Sequence, residues 1–577
     1  MATSGARCGS EDKSSGSLEV SIIRSKSDTP VHDNKHASAF GHTARSYGQD
    51  EEQGQPPEAT DEEIKDLPHI KGKVPMATWI LVVACASTNF ARYGITAIFQ
   101  NYIQKPRGNP LLPGALGLGQ SKATTIQFAF LFFCYVTPLP MSILSDSRLG
   151  RFTTMIVSMG FLMMGYALLI LTSIPPALDH GARVGGLAAA MILIGIGQGG
   201  MTATMVVFIG DQVPDTKPTV VRVKDKLAVV DRKVTIQFLF NVLFWLGNLA
   251  AMSMLPTTLL EKHVGFWVAF LMPTCIMALC VAALLICNKS LVKLPPQGNA
   301  LSQAYRVLLI ACRSGFRLSA ADPSIHPQKA ANSWTSSFVG EIRRGLTACR
   351  VMICFTIFWL CYNQAGNNFV SQASQMETGG ISNDTLQVFN PIAVVLVMPI
   401  IHLLQDLMRK WKVAFGPILR MAIGFFVIGI ALAYAAGLQH FIYSRGPCFS
   451  HPLACSAAVD NGSSASHERR PNDITVWLQI PLYLLLAIGE SLGLVALYEY
   501  SFSEAPTNMK SLVQSIGQLT VALASVIGVA LGPVSKDPYL VILYGCLAGV
   551  IGVGAIPFWM VFQRYDSEYE RQTATTT

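Results

Sequence analysis

About twelve apolar stretches, each about 20 residues long, run through this chain from residue 78 to residue 562. A helix of that length, rising ~1.5 Å per residue, crosses a hydrocarbon core of ~30 Å. Backbone groups inside lipid must find partners within their own segment, so the stretches are expected to be helices. The expected spans are 78–99, 123–144, 153–174, 186–209, 235–256, 265–287, 350–370, 386–405, 413–437, 475–497, 512–533 and 539–562. Charged residues make up only 14% of the 577, against roughly a quarter in soluble domains. The 47 glycines and 31 prolines agree with helices packed in a bilayer. The fold class that follows is an all-α polytopic membrane protein.

Charge gives the orientation. The net charge is +8, and the basic residues cluster in alternate loops. Lys217, Arg222, Lys224, Lys226, Arg232 and Lys233 follow the fourth span. Lys289, Lys293, Arg306, Arg313, Arg317, Lys329, Arg343 and Arg344 lie within 288–349. Arg409, Lys410 and Lys412 follow the eighth span, whereas 371–385 has no Lys or Arg. The positive-inside rule then places both termini in the cytosol. This pattern belongs to membrane topology and argues against a nucleic-acid partner. Residues 1–77 are polar, lack an apolar signal region and read as a disordered cytosolic tail.

The 288–349 loop divides the spans six and six. The expected domains are the tail, a bundle over 78–287, a cytosolic linker over 288–349, a bundle over 350–562 and a short cytosolic tail over 563–577. Two six-helix bundles describe the major facilitator architecture, with a central site between the halves. Cys448 and Cys455 share a loop on the non-cytosolic side, where a disulfide is expected. Asn461 in that loop opens a glycosylation sequon, and Asn383 opens another. No zinc spacing, nucleophile elbow or Walker lysine occurs, so neither an enzyme, a metal site nor a cofactor is expected. The run from Gly195 to Gly200 lies inside an apolar span. It reads as close helix packing, as does Gly545 with Gly549.

Two features point to a site. Glu490 sits near the middle of an apolar span, where a carboxylate is costly unless it faces a cavity or a partner. Cys85, Thr88, Asn89, Arg92 and Tyr93 repeat at three- and four-residue spacing, so they share one helical face.

The segments YGITAIFQNYIQKP, SDSRLGRFTTM, FWLCYNQAGNNFVSQASQM, SNDTLQVFNPI and GESLGLVALYEYSFSEAPTNMKSL together resemble the proton-dependent oligopeptide transporter family, in its fungal branch. The resemblance covers most of 79–565. It implies a secondary transporter for di- and tripeptides or peptide-like metabolites, with the solute, protons and the lipid bilayer as partners. It implies a substrate site of Tyr93, Tyr135, Asn248, Gln364, Asn390 and Glu490, the last toward the peptide amino group. Asn89 and Arg92 join it by their place on the same first-span face, Arg92 as the remaining cation. Asp146, Arg148, Gly150 and Arg151 resemble the superfamily's cytosolic gate turn, in which charge pairs lock one conformation.

The chain departs from the family where coupling resides. The family's first-helix glutamates and arginine are Cys85, Thr88 and Asn89 here. The family's fourth-helix lysine is Thr202, and the turn glycine of the second helix is Met141. Transport is therefore expected to respond weakly, or not at all, to a proton gradient. A proton-independent exporter or a non-transporting peptide sensor are the alternatives. The plasma membrane is the expected location, a vacuolar or other internal membrane the alternative.

Overall fold

The computed structural model describes residues 67–108, 112–179, 183–214, 218–223, 226–295, 300–315, 317–325, 334–411, 415–455, 470–504 and 510–574. Among them, 11 helices are long and apolar enough to cross a membrane. The first bundle is built from α1 (Met76–Ala97) continued by α2 (Phe99–Gln104), and α3 (Gln120–Val136) continued by α4 (Pro138–Leu144). It goes on with α5 (Arg151–Ser173), α6 (Arg183–Asp211), α7 (Arg232–Ala251) continued by α8 (Met254–His263), and α9 (Phe266–Ile286). The linker contributes α10 (Ala300–Arg313). The second bundle holds α11 (Ser336–Tyr362), α12 (Asn368–Ala373), α13 (Phe389–Lys410), α14 (Pro417–Tyr443), α15 (Ile480–Glu504), α16 (Lys510–Leu531) and α17 (Leu540–Ala574).

The expected seventh span differs most from a plain helix. The span opens at Arg350 inside α11, whose earlier turns carry Glu341, Arg343 and Arg344 from the expected linker, so α11 is too polar to sit wholly in lipid. The second half of the span breaks in a 3-10 turn over Asn363–Gly366 before α12 resumes. Broken backbone of this kind is tolerated where it is buried in protein or lines a cavity.

Each half has its own apolar core. One gathers Leu81, Phe99, Tyr102, Met159, Tyr166 and Phe270; the other gathers Phe355, Phe358, Phe425, Tyr483, Leu486 and Tyr544. Large apolar side chains also point outward, among them Leu279, Ile286, Leu403 and Val553, the pattern of a lipid-solvated surface. The glycine run packs as expected. A Cβ on Gly199 would meet Thr137 at 2.2 Å, and one on Gly200 would meet Ser158 at 1.9 Å. Gly545 and Gly549 do not behave this way: a Cβ on either would meet nothing within 4 Å. Their spacing turns them away from neighbouring helices, and α17 instead meets α14 where a Cβ on Gly429 would meet Gly552 at 3.1 Å.

Matching ion pairs brace the two halves. Arg151, at the start of α5, reaches Asp211 at the end of α6 at 2.6 Å. Arg420, at the start of α14, reaches Glu499 on α15, also at 2.6 Å. The bond described for Arg151 thus lies inside the first half. Gly150 before it has φ of 77°, a backbone that suits glycine. Arg148 is exposed, and the side chain of Asp146 lies outside the described residues. A small sheet, β1 (His69–Ile70) parallel to β3 (Lys226–Val230), with β2 (Thr219–Val223) antiparallel to β3, ties the segment before α1 to the α6–α7 connection. Cys448 and Cys455 are disulfide-bonded, as expected. Asn461 lies outside the described residues.

Candidate functional site

Glu490 lies in the middle of α15. Its Oε2 accepts the Tyr362 hydroxyl at 2.8 Å and the Asn390 amide at 3.1 Å. Asn390 also donates to the Tyr362 oxygen at 3.1 Å. Neutral donors from α11 and α13 therefore orient the carboxylate, and no described cation pairs with it. A carboxylate held this way keeps charge and lone pairs for another partner.

Arg92, a charged residue of the first half, is linked to this arrangement through Tyr93. Its guanidinium lies 4.0 Å from the centroid of the Tyr93 ring. The groups that act on it are the hydroxyls of Tyr93, Tyr135 and Tyr166, with no carboxylate. Its Nε is buried without a hydrogen-bond partner. The aromatic face stabilises the cation, which also donates to the Tyr93 hydroxyl, and a guanidinium fork with its Nε unpartnered suits a carboxylate.

Tyrosines join the two charges. Tyr93 is within electrostatic reach of Tyr362, and Tyr498 is within reach of Tyr135, Tyr93 and Glu490. A cavity between the halves continues from there, lined by Tyr135 on one side and by Met352, Trp359, Tyr498, Ser501 and Gln518 on the other. The structure thus brings together Arg92, Tyr93, Tyr135, Asn390 and Glu490. Asn89 makes only a 3.8 Å contact to Cys85 one turn earlier. Gln364 is used in the broken helix, donating to Leu360 O and accepting from Asn368. Asn248 donates to the carbonyl of Phe244 in its own helix, and no contact joins it to the charged pair. Tyr362 and Tyr498 were not legible as site residues. Tyr498 follows Glu490 by two helical turns and so shares its face, the one signal that could have found it.

A second polar layer closes the cavity at the disulfide end. Asn101 donates to Glu261 at 3.1 Å and exchanges amide bonds with Asn383 at 3.0 Å each way. Lys105 donates to Asn383 at 3.3 Å. Gln100 donates to Ser371, Gln387 to the carbonyl of Ala97, and Thr385 bonds Thr258. Each of these, apart from Asn101 to Glu261, joins one half to the other. Asn383 is buried by them, which removes it as a glycosylation acceptor. Beside this layer, Gln479, Gln372, Gln439 and Gln375 donate in series toward Asp537, and Tyr443 donates to the same carboxylate. Burial holds the Asp537 carboxyl above its ordinary range, and the bonds from Tyr443 and Gln375 pull it back.

Two helical halves around a buried polar cavity, sealed at one end by bonds between the halves, define an integral membrane transporter of the alternating-access type. The chain belongs to the POT family, whose model matches residues 152–543. It is similar to peptide transporter PTR_A of Candidozyma auris, at 35% identity over 514 residues, 89% of this chain and 85% of that one. It is likewise 35% identical to peptide transporter PTR2 of Saccharomyces cerevisiae over 518 residues, 89% of this chain and 83% of that one. Its fold matches the crystal structure of the POT family transporter PepTSo with a TM-score of 0.66 at 19% identity, covering 86% of this chain and 99% of that one.

Proposed function

We propose that this chain carries small peptides or peptide-like metabolites by alternating access, with Arg92 holding the solute carboxylate and Glu490 its amino group. One observation carries the reading: an arginine with no acid in the first half and a glutamate with no base in the second are linked through Tyr93, Tyr362 and Tyr498. A zwitterionic ligand supplies both missing charges and bridges the halves, so its binding favours their approach. Tyr93, Tyr135 and Tyr498 offer hydroxyls to the peptide amides. The names of the relatives as peptide transporters support the same solute class.

The disulfide end is taken as the outside and the Lys/Arg-rich end as the cytosol. The described conformation is then shut to the outside. The plasma membrane is the proposed location. The first helix offers no carboxylate for protons: Thr88 Oγ1 donates to Ala84 O within the helix, and Cys85 replaces an acid.

The test is counterflow of a labelled dipeptide in proteoliposomes with no ion gradient. The expected outcome is transient accumulation of label against excess unlabelled dipeptide inside. Saturable binding without counterflow would replace the transporter with a sensor.

A further inference from the structure

The polar layer at the disulfide end contains three titratable groups that peptide binding does not use. Glu261, at the end of α8, is 2% exposed, and Asp384, in the turn before α13, is 0% exposed. The two carboxyls come from opposite halves and stand within hydrogen-bonding reach of each other. Glu261 Oε1 accepts from Asn101, but Glu261 Oε2 and both oxygens of Asp384 are buried with no donor. Three orphaned carboxylate oxygens side by side are costly. A single proton between them removes the difficulty, because one carboxyl then donates to the other.

The charge count leads to the same place. Lys105, in the turn after α2, acts on both carboxyls. With both carboxyls ionised and Lys105 charged, the buried cluster carries one net negative charge and one dissociable proton. With one more proton it is neutral, wherever the two protons sit. Burial draws the Lys105 ammonium down to about 7, against the pull of Asp384 and Glu261, so even a neutral lysine leaves the count at two protons. Two other titratable groups face Asp384. Lys262 does so from α8, but its ammonium is held by the carbonyls of Gly380 and Ile381 at the solvent edge. Tyr483 does so from α15 and is neutral.

We infer that Glu261, Asp384 and Lys105 form a proton-binding site that gains one proton when the two halves close at the disulfide end and loses it when they part. This rests on the reading that the halves close and part in turn. Parting separates Glu261 from Asp384 and admits water, so water takes over the orphaned carboxylate oxygens and the proton shared between them leaves. The closed state holds one proton more than the open state. Closure therefore strengthens as pH falls, by at most tenfold in the closed-to-open ratio per pH unit. The site lies apart from the first helix, where the family's acids are missing.

Hydrogen exchange tests this without a peptide. Protection of residues 383–388, corrected for the intrinsic pH dependence of exchange, reports closure at this end. Between about pH 7.5 and about pH 5.5, both above the ordinary carboxyl range, the full chain is expected to gain protection by severalfold up to about a hundredfold, as one linked proton allows. Glu261→Gln and Asp384→Asn should each flatten that response, while Glu490→Gln keeps it. Equal protection of the parent at both pH values overturns the inference, and so does a full response in both outer variants. Peptide counterflow run on the same preparations is read separately, so loss of transport and loss of the proton response remain distinguishable.

Discussion

An isolated charge in a buried cavity is costly unless a ligand compensates it, and Arg92 and Glu490 are two such charges of opposite sign. Losing one charged contact in a partly desolvated site costs about 1.5–3 kcal/mol, or about ten- to hundredfold in affinity. Arg92→Ala is expected to weaken binding of dipeptides with a free C-terminus by that factor and to affect C-terminal amides much less. Glu490→Gln should give the mirror pattern with N-acetylated peptides. Binding isotherms of the four ligands decide it: an unchanged acid-to-amide ratio in Arg92→Ala removes Arg92 from the carboxylate role. Both residues could be found in the sequence because ionisable groups inside apolar stretches stand out. Tyr362 could not, since a tyrosine in an apolar run reads as core. Glu261 and Lys105 were missed for another reason. Each lies a few residues past an apolar run, where a charge reads as loop, yet tertiary contacts bury both.

At the scale of elements, apolar length located the helices but not their breaks. The break after α11 comes from Asn363–Gly366, a polar stretch that hydropathy simply averages into the span. The start of α14 shows another contact that no local signal reveals. Its amides at Ile418 and Leu419 are capped by the carboxylate of Asp566, at 2.8 and 3.0 Å, from the far end of α17. The cap is remote in sequence, and Gly416 leaves room for it: a Cβ there would meet Asp566 at 2.3 Å. Removing a carboxylate cap from a helix N-terminus costs about 1–2 kcal/mol. Asp566→Ala is expected to lower the thermal midpoint in detergent by several degrees, and Asp566→Asn, which keeps an acceptor, by less. A midpoint equal to the parent's for Asp566→Ala would mean that the cap contributes nothing to stability. Across the halves, α3 meets α16 at a small residue: a Cβ on Gly528 would meet Phe128 at 2.4 Å. Close approach at the sealed end therefore depends on glycine.

For the whole molecule, the direction in which the cavity opens depends on two independent markers that agree. The bonds described between the halves gather at the end that carries the Cys448–Cys455 disulfide, and disulfides persist in oxidising compartments. Basic loops gather at the opposite end, which the positive-inside rule assigns to the cytosol. In the proposed orientation the cavity lined by Tyr135, Tyr498 and Gln518 lies on the cytosolic side of the polar layer, so the described state would be reached from inside the cell. A cysteine placed at Gln518, in a background freed of reactive cysteines, is expected to react with a membrane-impermeant thiol reagent in inside-out vesicles. It should stay unreactive in intact cells, where protease should also leave an N-terminal tag in place. A peptide that binds between Arg92 and Glu490 should slow the labelling, because the ligand draws the halves together over the same cavity. Labelling from the outside alone, together with loss of the tag, would invert the orientation and move the proton-linked layer to the cytosolic face.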